Sequence, residues 1–178
     1  MMHIGRRSEH VDQADRFVSQ KCGKRAIPVR HHLFRDALAQ ATLDTAVRSI
    51  DYIPTARIAS TTVQVDAILI ERDDSRFHLE VMEIRPRLSS SEIRLVAHAL
   101  SSLALRPWVL NEADILSEPR CTNVRTVWAH ADHAVSIGLR LQVLGALTDE
   151  GAMPLAELLG RLRTDRDPAP AVMALACP

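Results

Sequence analysis

The spacing of apolar residues predicts a β-hairpin in the middle of the chain. Residues 63–71 and 77–85 are rich in β-branched and large apolar side chains, and the polar cluster between them favours a tight turn. A two-residue loop at positions 73–74 sets Asp66 opposite Val81. The sequence therefore predicts an antiparallel strand pair with a defined register.

The period of two along each strand divides this hairpin into two faces. One face begins at the turn with apolar residues and ends in a polar group at the far end: Ile68, Ile70, Phe77, Leu79 and Val81, then Gln64, Asp66, Glu83 and Arg85. Asp66 and Glu83 are diagonal neighbours in this register, and two carboxylates within reach of each other can hold a divalent cation. The alternative is a hairpin end that simply reaches solvent, because strand ends are commonly polar.

The elements around the hairpin alternate between helix and strand. Residues 31–48 carry apolar side chains at helical spacing, and residues 50–57 suit a short edge strand broken by a proline. A serine-rich capping signal precedes a helix at residues 92–105, and residues 107–110 suit a further strand. A strand followed by a helix and a strand favours a right-handed crossover, so the last strand should run parallel to the second hairpin strand.

Helical patterns dominate the last third of the chain. After a predicted loop at residues 111–121 they occupy residues 123–147, divided near His133, then residues 154–162 and 169–176. This succession is typical either of a helix-turn-helix or winged-helix start or of a small helical bundle.

The chain is therefore expected to have three parts. These are a mobile leader at residues 1–29, an α/β core at residues 30–120 and a helical C-terminal region at residues 121–178. If the last part binds DNA, its candidate phosphate contacts are Arg161, Arg163 and Arg166.

Composition narrows the class of protein. A formal net charge of zero argues against a protein whose whole surface is basic and binds nucleic acid, but it is compatible with a local basic groove. No apolar run is long enough for a membrane span and the N-terminus lacks a signal-peptide core, so a cytoplasmic protein without membrane partners is expected. Cys22, Cys121 and Cys177 are odd in number and far apart, which favours reduced thiols.

A second candidate metal face is His130 with His133, which are three residues apart on a predicted helix. No third strong ligand accompanies them in the sequence. A solvent-facing or hydrogen-bonded histidine pair is therefore favoured over a metal site.

The order of elements resembles the core of the PD-(D/E)xK nuclease superfamily. That order is a helix, a strand, an aspartate-bearing strand, a tight turn, a strand ending in glutamate-x-basic-proline, a helix and a strand. More narrowly, the chain resembles the TnsA-type endonucleases of heteromeric transposases, which cut DNA at transposon ends. The matching positions are the helix at 31–48, Ile53 with Pro54, Val65 with Asp66, and residues 83–86.

The resemblance implies a fold and an activity. The fold is α/β. It has a restriction-endonuclease-like core, in which helices flank a mixed central sheet. A small helical, winged-helix-like appendage follows the core at the C-terminus. The activity is metal-dependent hydrolysis of double-stranded DNA. Asp66 and Glu83 would bind Mg²⁺ or Mn²⁺, the Ile84 carbonyl would complete the shell, and Arg85 would face the scissile phosphate. A transposase or another DNA-processing subunit is the implied partner.

Departures from the family pattern bear on whether the site is active. Arg85 stands where the family has lysine, and it stays protonated, so it can neutralise charge but cannot act as a general base. The helix glutamate expected near Phe34 is absent, and Asp36 could replace it only if the helix were rotated. A catalytically degenerate relative, kept as a DNA-binding or protein-interaction subunit, is therefore the competing hypothesis, and a DNA reader confined to the C-terminal region is a third.

Overall fold

A mixed four-stranded sheet organises the described part of the chain, which in the computed structural model comprises residues 16–23, 25–29, 31–82 and 88–178. Its strands, in sheet order, are β3 (Val47–Ile58), β4 (Thr61–Arg72), β5 (Arg76–Val81) and β6 (Arg106–Leu110). The first three are antiparallel, and β6 runs parallel to β5 as the crossover pattern predicted. The α/β class expected from the sequence is confirmed.

The hairpin of β4 and β5 has the predicted register from residue 68 to the turn, whereas the predicted pair of Asp66 with Val81 is not among its backbone pairs. Ile68 lies opposite Leu79, and the pairing continues to Glu71 opposite Arg76. The Arg72 N–H donates to the Ser75 carbonyl at 2.9 Å and closes a two-residue loop. The turn chemistry between the strands was therefore sufficient to set the alignment.

Helices cover both faces of this sheet. The helices of the described residues are, in chain order, α1 (His32–Leu43), α2 (Ser90–Ser102), α3 (Glu112–Ile115), α4 (Arg120–Trp128), α5 (Ile137–Glu150), α6 (Leu155–Arg161) and α7 (Ala169–Ala176), and α1 and α2 lie on opposite faces of the sheet. Ile68 and Ile70 pack in the cluster with α1, while Ala67 and Leu69 pack with Leu100 of α2. Four consecutive buried residues on β4 follow from cover on both faces.

Two predicted boundaries are wrong for reasons of local hydrogen bonding. The helix expected at 31–48 ends at Leu43, because the Asp44 side chain accepts a hydrogen bond from the Ala46 N–H at 2.9 Å and holds a turn. The loop expected at 111–121 contains α3, which begins where Asn111 accepts from the Asp114 N–H at 2.8 Å.

Residues 16–23 and 25–29 are part of the core. Short strands β1 (Arg16–Phe17) and β2 (Ile27–Pro28) pair with each other, and Phe17 and Ile27 are almost fully buried. The Phe17 ring stacks on Trp128 of α4 with centroids 5.0 Å apart. The sequence assigned this segment to a mobile leader, and that interpretation is wrong for residues 16–23 and 25–29, because their scattered apolar residues pack.

The C-terminal helices α5, α6 and α7 form a second apolar cluster. Its buried members are Leu139, Val143, Leu158, Ala171 and Val172. The predicted break near His133 is confirmed, since α4 ends at Trp128 and α5 begins at Ile137. α5 continues to Glu150, past residue 147 where the helical pattern was predicted to end. The division at residue 120 stays a prediction. Within the described ranges, no helix is long and apolar enough to cross a membrane.

Candidate functional site

Asp66 occupies an irregular point of the sheet. The pairing of β3 with β4 shifts by one residue between Ile53 opposite Ala67 and Thr55 opposite Gln64, so Val65 and Asp66 together face Pro54. This is a β-bulge, and proline suits it because proline has no N–H to donate to the ladder. β3 therefore continues through Pro54, whereas the sequence predicted a strand broken there.

The bulge gives Asp66 an unusual backbone conformation. Its φ of 44° lies in the left-handed region, where aspartate is found more often than most residues other than glycine. Bulges are frequent next to active sites because they redirect a side chain out of the regular alternation of the strand. Asp66 is exposed, although the next four residues of β4, 67–70, are buried.

Two neighbours hold the Asp66 carboxylate. The Tyr52 hydroxyl of β3 donates a short hydrogen bond to Oδ1, and the Gln64 side-chain amide donates to the same oxygen at 2.8 Å. Both of these hydrogen bonds are accepted by Oδ1. Within the described part of the chain Oδ2 accepts none, so it is available to a ligand. An exposed, oriented carboxylate oxygen fits one coordination position of Mg²⁺ or Mn²⁺, which prefer oxygen ligands.

The role of Tyr52 was missed in the sequence. Gln64 was correctly expected beside Asp66, but the bulge moves it to the face of Ile53 and Ala67, opposite the predicted face of Ile68. Tyr52 pairs with Ile68, two positions from Asp66 along β4, and its ring packs against the core beside α1. The available signal was a single tyrosine two residues before the proline of an edge strand. Without the register of β3 against β4, that signal could not connect Tyr52 to Asp66.

The other half of the predicted site, Glu83, Ile84 and Arg85, lies outside the described residues. β5 leads to it through Val81, which is buried and pairs with Leu110 of β6. Convergence of Asp66 and Glu83 therefore stays a prediction. Within the described ranges, no group of three or more histidine, cysteine, aspartate or glutamate side chains could hold a metal ion.

Asp36 is engaged elsewhere. Arg125 of α4 donates from Nε to Asp36 Oδ1 at 3.1 Å and from Nη2 to Oδ2 at 2.6 Å. These hydrogen bonds and the attraction of the Asp36 charge raise the pKa of Arg125. Both carboxylate oxygens bind the guanidinium, so in this structure Asp36 does not replace the missing helix glutamate.

The three arginines proposed to contact DNA have different surroundings. Arg161, at the end of α6, binds both Glu150 and Glu157, so its charge is locally neutralised. Arg163 and Arg166 are exposed in the connection to α7. α7 itself has no charged residue and packs into the second cluster, so it does not have the exposed polar face of a recognition helix.

The candidate pair His130 and His133, and the buried His78, have local contacts. His130 and His133 lie in the turn after α4 rather than on a helix, and the His133 N–H donates to the His130 carbonyl at 2.9 Å. His78 is buried on β5, with its Nε2 2.8 Å from Glu80 Oε1. A carboxylate at this distance orients the His78 ring.

The cysteines do not form a nucleophilic site. All three are free thiols; Cys22 and Cys121 are buried and Cys177 is half-buried. Burial raises the pKa of the Cys22 and Cys177 thiols, which disfavours the reactive thiolate.

Comparison of the chain with protein-family models and with curated proteins finds no match.

Proposed function

We propose that this chain is a restriction-endonuclease-fold protein, similar to TnsA-type endonucleases, that acts on double-stranded DNA at transposon ends. The order of elements supports the proposal: α1, the antiparallel strands β3, β4 and β5, the helix α2 and the parallel strand β6. This is the order of the nuclease core that the sequence resembles.

The observation that carries the proposal is the position of Asp66. It stands on the second strand of the sheet, in a bulge opposite Pro54, with one carboxylate oxygen oriented by Tyr52 and Gln64. A divalent cation bound there would supply Lewis acidity to the scissile phosphate. Asp66 and Glu83 would bind the cation with the Ile84 carbonyl, and Arg85 would neutralise charge on the phosphate.

The activity is expected to be slow. Arg85 cannot take a proton from water, and Asp36 is bound to Arg125, so the site has neither the family's basic lysine nor its helix carboxylate. Charge stabilisation and orientation remain, and each contributes to hydrolysis without proton transfer.

Nicking of supercoiled plasmid in Mn²⁺ tests the proposal. The unmodified chain should convert plasmid to the open circle slowly, and Asp66→Asn should abolish conversion while keeping the left-handed backbone accessible. Asp149→Asn is the matched control, since Asp149 is an exposed acid on α5 far along the chain from the site. Equal nicking by the two variants would rule out Asp66 as a metal ligand.

A gain-of-function variant makes the test sharper. Arg85→Lys restores the basic residue of the family motif, so nicking should accelerate if Arg85 faces the phosphate. Rapid cutting by the unmodified chain without any gain from Arg85→Lys would contradict the role given to Arg85.

A second candidate is a catalytically inactive DNA-binding or protein-interaction subunit with the same fold. The Asp36–Arg125 pair favours it, because a carboxylate that an active site would use is committed to holding α1 against α4. Duplex binding that persists in EDTA and weakens with salt, together with no nicking in Mn²⁺, would support this candidate over the enzyme.

Partners and further DNA contacts follow from the same proposal. Arg163 and Arg166 would contact the DNA backbone more effectively than Arg161, whose charge is balanced by Glu150 and Glu157. A transposase or other DNA-processing subunit would supply the target. Co-purification of the chain with such a subunit would test the proposed partnership. A substitution at the interface of the two proteins should abolish co-purification without changing nicking.

A further inference from the structure

Strands β3 and β4 continue past the rest of the sheet as a two-stranded arm, residues 55–64. The pairing of β3 with β4 extends from Thr55 opposite Gln64 to Ile58 opposite Thr61, whereas the pairing of β4 with β5 ends at Ile68 opposite Leu79 among the described residues. At about 3.3 Å per residue, the six steps from Ala67 to Thr61 span about 20 Å. The arm is thus long enough to reach a separate molecule.

The two faces of the arm differ in chemistry. Ala56 and Val63 pair across the strands and are 6% and 5% exposed. The other face carries two cross-strand pairs, Thr55 with Gln64 and Arg57 with Thr62, and all four residues are exposed. One face is therefore buried and apolar at Ala56 and Val63 but more exposed at the outer pair of Ile58 with Thr61, while the other face presents hydroxyl, amide and guanidinium groups to solvent.

The charge of the arm favours an anionic partner. Arg57 is the only charged residue between positions 55 and 64, although the whole chain has a net charge of zero. Within the described ranges its guanidinium has no ion-pair partner. Threonine, glutamine and arginine side chains are common donors to DNA phosphates, and a two-stranded ribbon fits the major groove.

The exposed face of the arm is continuous with the candidate site. Gln64, at the base of the arm, donates to Asp66 Oδ1 at 2.8 Å, and the bulge at Val65 and Asp66 joins the arm to the sheet. By strand alternation Arg57, Thr62 and Gln64 share one face of the arm, and Gln64 is the residue of that face that reaches Asp66, so a duplex against Arg57 and Thr62 would meet the site at Gln64. The arm and the site would therefore contact the same DNA molecule.

We propose that the exposed face of the arm, formed by Thr55, Arg57, Thr62 and Gln64, lies against duplex DNA and sets the position of the duplex over Asp66. This inference rests on the proposed function, because it assigns the DNA contact of the same site. Arg57 contacts a phosphate, and Thr62 donates a hydrogen bond beside it. The partner is double-stranded DNA, recognised by its phosphate charge.

Fluorescence anisotropy of a labelled duplex in EDTA tests the arm without relying on catalysis. Arg57→Ala should weaken binding several-fold and reduce the salt slope by about one phosphate contact, while Thr62→Val should weaken binding at an unchanged slope. Arg76→Ala is the matched control, because Arg76 is an exposed strand arginine at the opposite end of the β4–β5 hairpin. It should bind like the unmodified chain.

The outcomes separate this inference from the proposed function. If the unmodified chain binds DNA and Arg57→Ala and Thr62→Val bind as tightly as Arg76→Ala, the arm inference is wrong and the proposed function stands. If the arm variants change only the oligomeric state in sedimentation, the arm contacts protein and the inference is again wrong. If the unmodified chain neither binds nor nicks duplex DNA, both proposals fail.

Discussion

Asp36 of α1 and Arg125 of α4 form two parallel hydrogen bonds, from Nε to Oδ1 at 3.1 Å and from Nη2 to Oδ2 at 2.6 Å. The Asp36 side chain is 14% exposed and that of Arg125 is 54% exposed. Only arginine can make this paired contact, because lysine has a single charged nitrogen. The pair links α1, which precedes the four-stranded sheet in the chain, to α4, which comes after it.

Loss of this pair should destabilise the protein modestly. Arg125→Met is expected to lower the free energy of unfolding by about 0.5–1 kcal/mol, and Arg125→Lys should recover only part of that loss. Urea unfolding at neutral pH measures the change. A double-mutant cycle with Asp36→Asn isolates the pairwise contribution, and strictly additive effects would show that the two side chains do not interact.

A small cavity between α1 and the sheet should accept a larger side chain. Its volume is about 90 Å³, and Ala41, Ile70, Leu79 and Trp108 line it with other residues. Ala41→Val adds two methyl groups at about 0.8 kcal/mol each, and helix propensity offsets about 0.5 kcal/mol, so a net gain of about 1 kcal/mol is expected. The midpoint of thermal or urea unfolding measures it.

Ala39 provides the matched control for this cavity. It lies on the same helix and is as buried as Ala41, at 3% exposed, but it does not line the cavity. Ala39→Val should therefore destabilise by about 1–3 kcal/mol through overpacking. Equal destabilisation by Ala41→Val and Ala39→Val would show that the cavity cannot accommodate the added methyl groups.

The N-terminus of α2 should make stability depend on pH in the acidic range. Hydrogen bonds from the Ser89 hydroxyl and from the Ser89 N–H lower the pKa of Glu92. Because the pKa of Glu92 is lower in the folded than in the unfolded state, its ionised form stabilises the fold at pH values above the unfolded pKa of about 4.3. That stabilisation is lost as the pH falls through the folded-state pKa. Urea unfolding across this range measures the loss.

Glu92→Gln separates this titration from that of other carboxyl groups. The stability difference between the unmodified chain and Glu92→Gln should shrink as pH falls below about 4.3. Ser89→Ala removes the hydroxyl donor and should reduce the same difference at neutral pH. A difference that stays constant with pH would show that the capping box does not lower the pKa of Glu92.

The hairpin register could be predicted because its determinants are local. The polar loop at positions 73–74 and the alternation on either side of it decide which residues pair, and Ile68 indeed lies opposite Leu79. The packing of Phe17 on Trp128 could not be predicted, because it joins residues more than 100 positions apart with no pattern between them. The bulge at Asp66 likewise depends on the partner strand, since Pro54 is what disturbs the ladder.

The same distinction applies to the candidate site. The proximity of Gln64 to Asp66 could be predicted because they are two residues apart on one strand, whereas the bulge between them, which breaks the alternation of faces, could not. Tyr52 and Arg125 act on Asp66 and Asp36 from distant elements, so their roles required the tertiary structure. The sequence therefore predicted most of the elements, the tight turn and the parallel pairing of β6 with β5, but not the side-chain contacts between residues of different elements.

Tyr52 should position Asp66 for metal binding rather than take part in the reaction. Tyr52→Phe keeps the packed ring and removes the hydroxyl that donates to Asp66 Oδ1. Removal of such an outer hydrogen bond typically weakens metal affinity by about tenfold or more, so the Mn²⁺ concentration for half-maximal nicking should rise by about that factor. The rate at saturating Mn²⁺ should change little, because in the proposed site the hydroxyl contacts the carboxylate of Asp66 and not the phosphate.

Direct measurement of Mn²⁺ binding by electron paramagnetic resonance separates a positioning role from a structural one. Tyr52→Phe should raise the dissociation constant in parallel with the nicking assay, while its unfolding midpoint changes little. Gln64→Leu removes the other donor to Oδ1 and should shift Mn²⁺ binding in the same direction. Unchanged Mn²⁺ binding in both variants, with Asp66→Asn abolishing it, would show that Asp66 binds the cation without help from either neighbour.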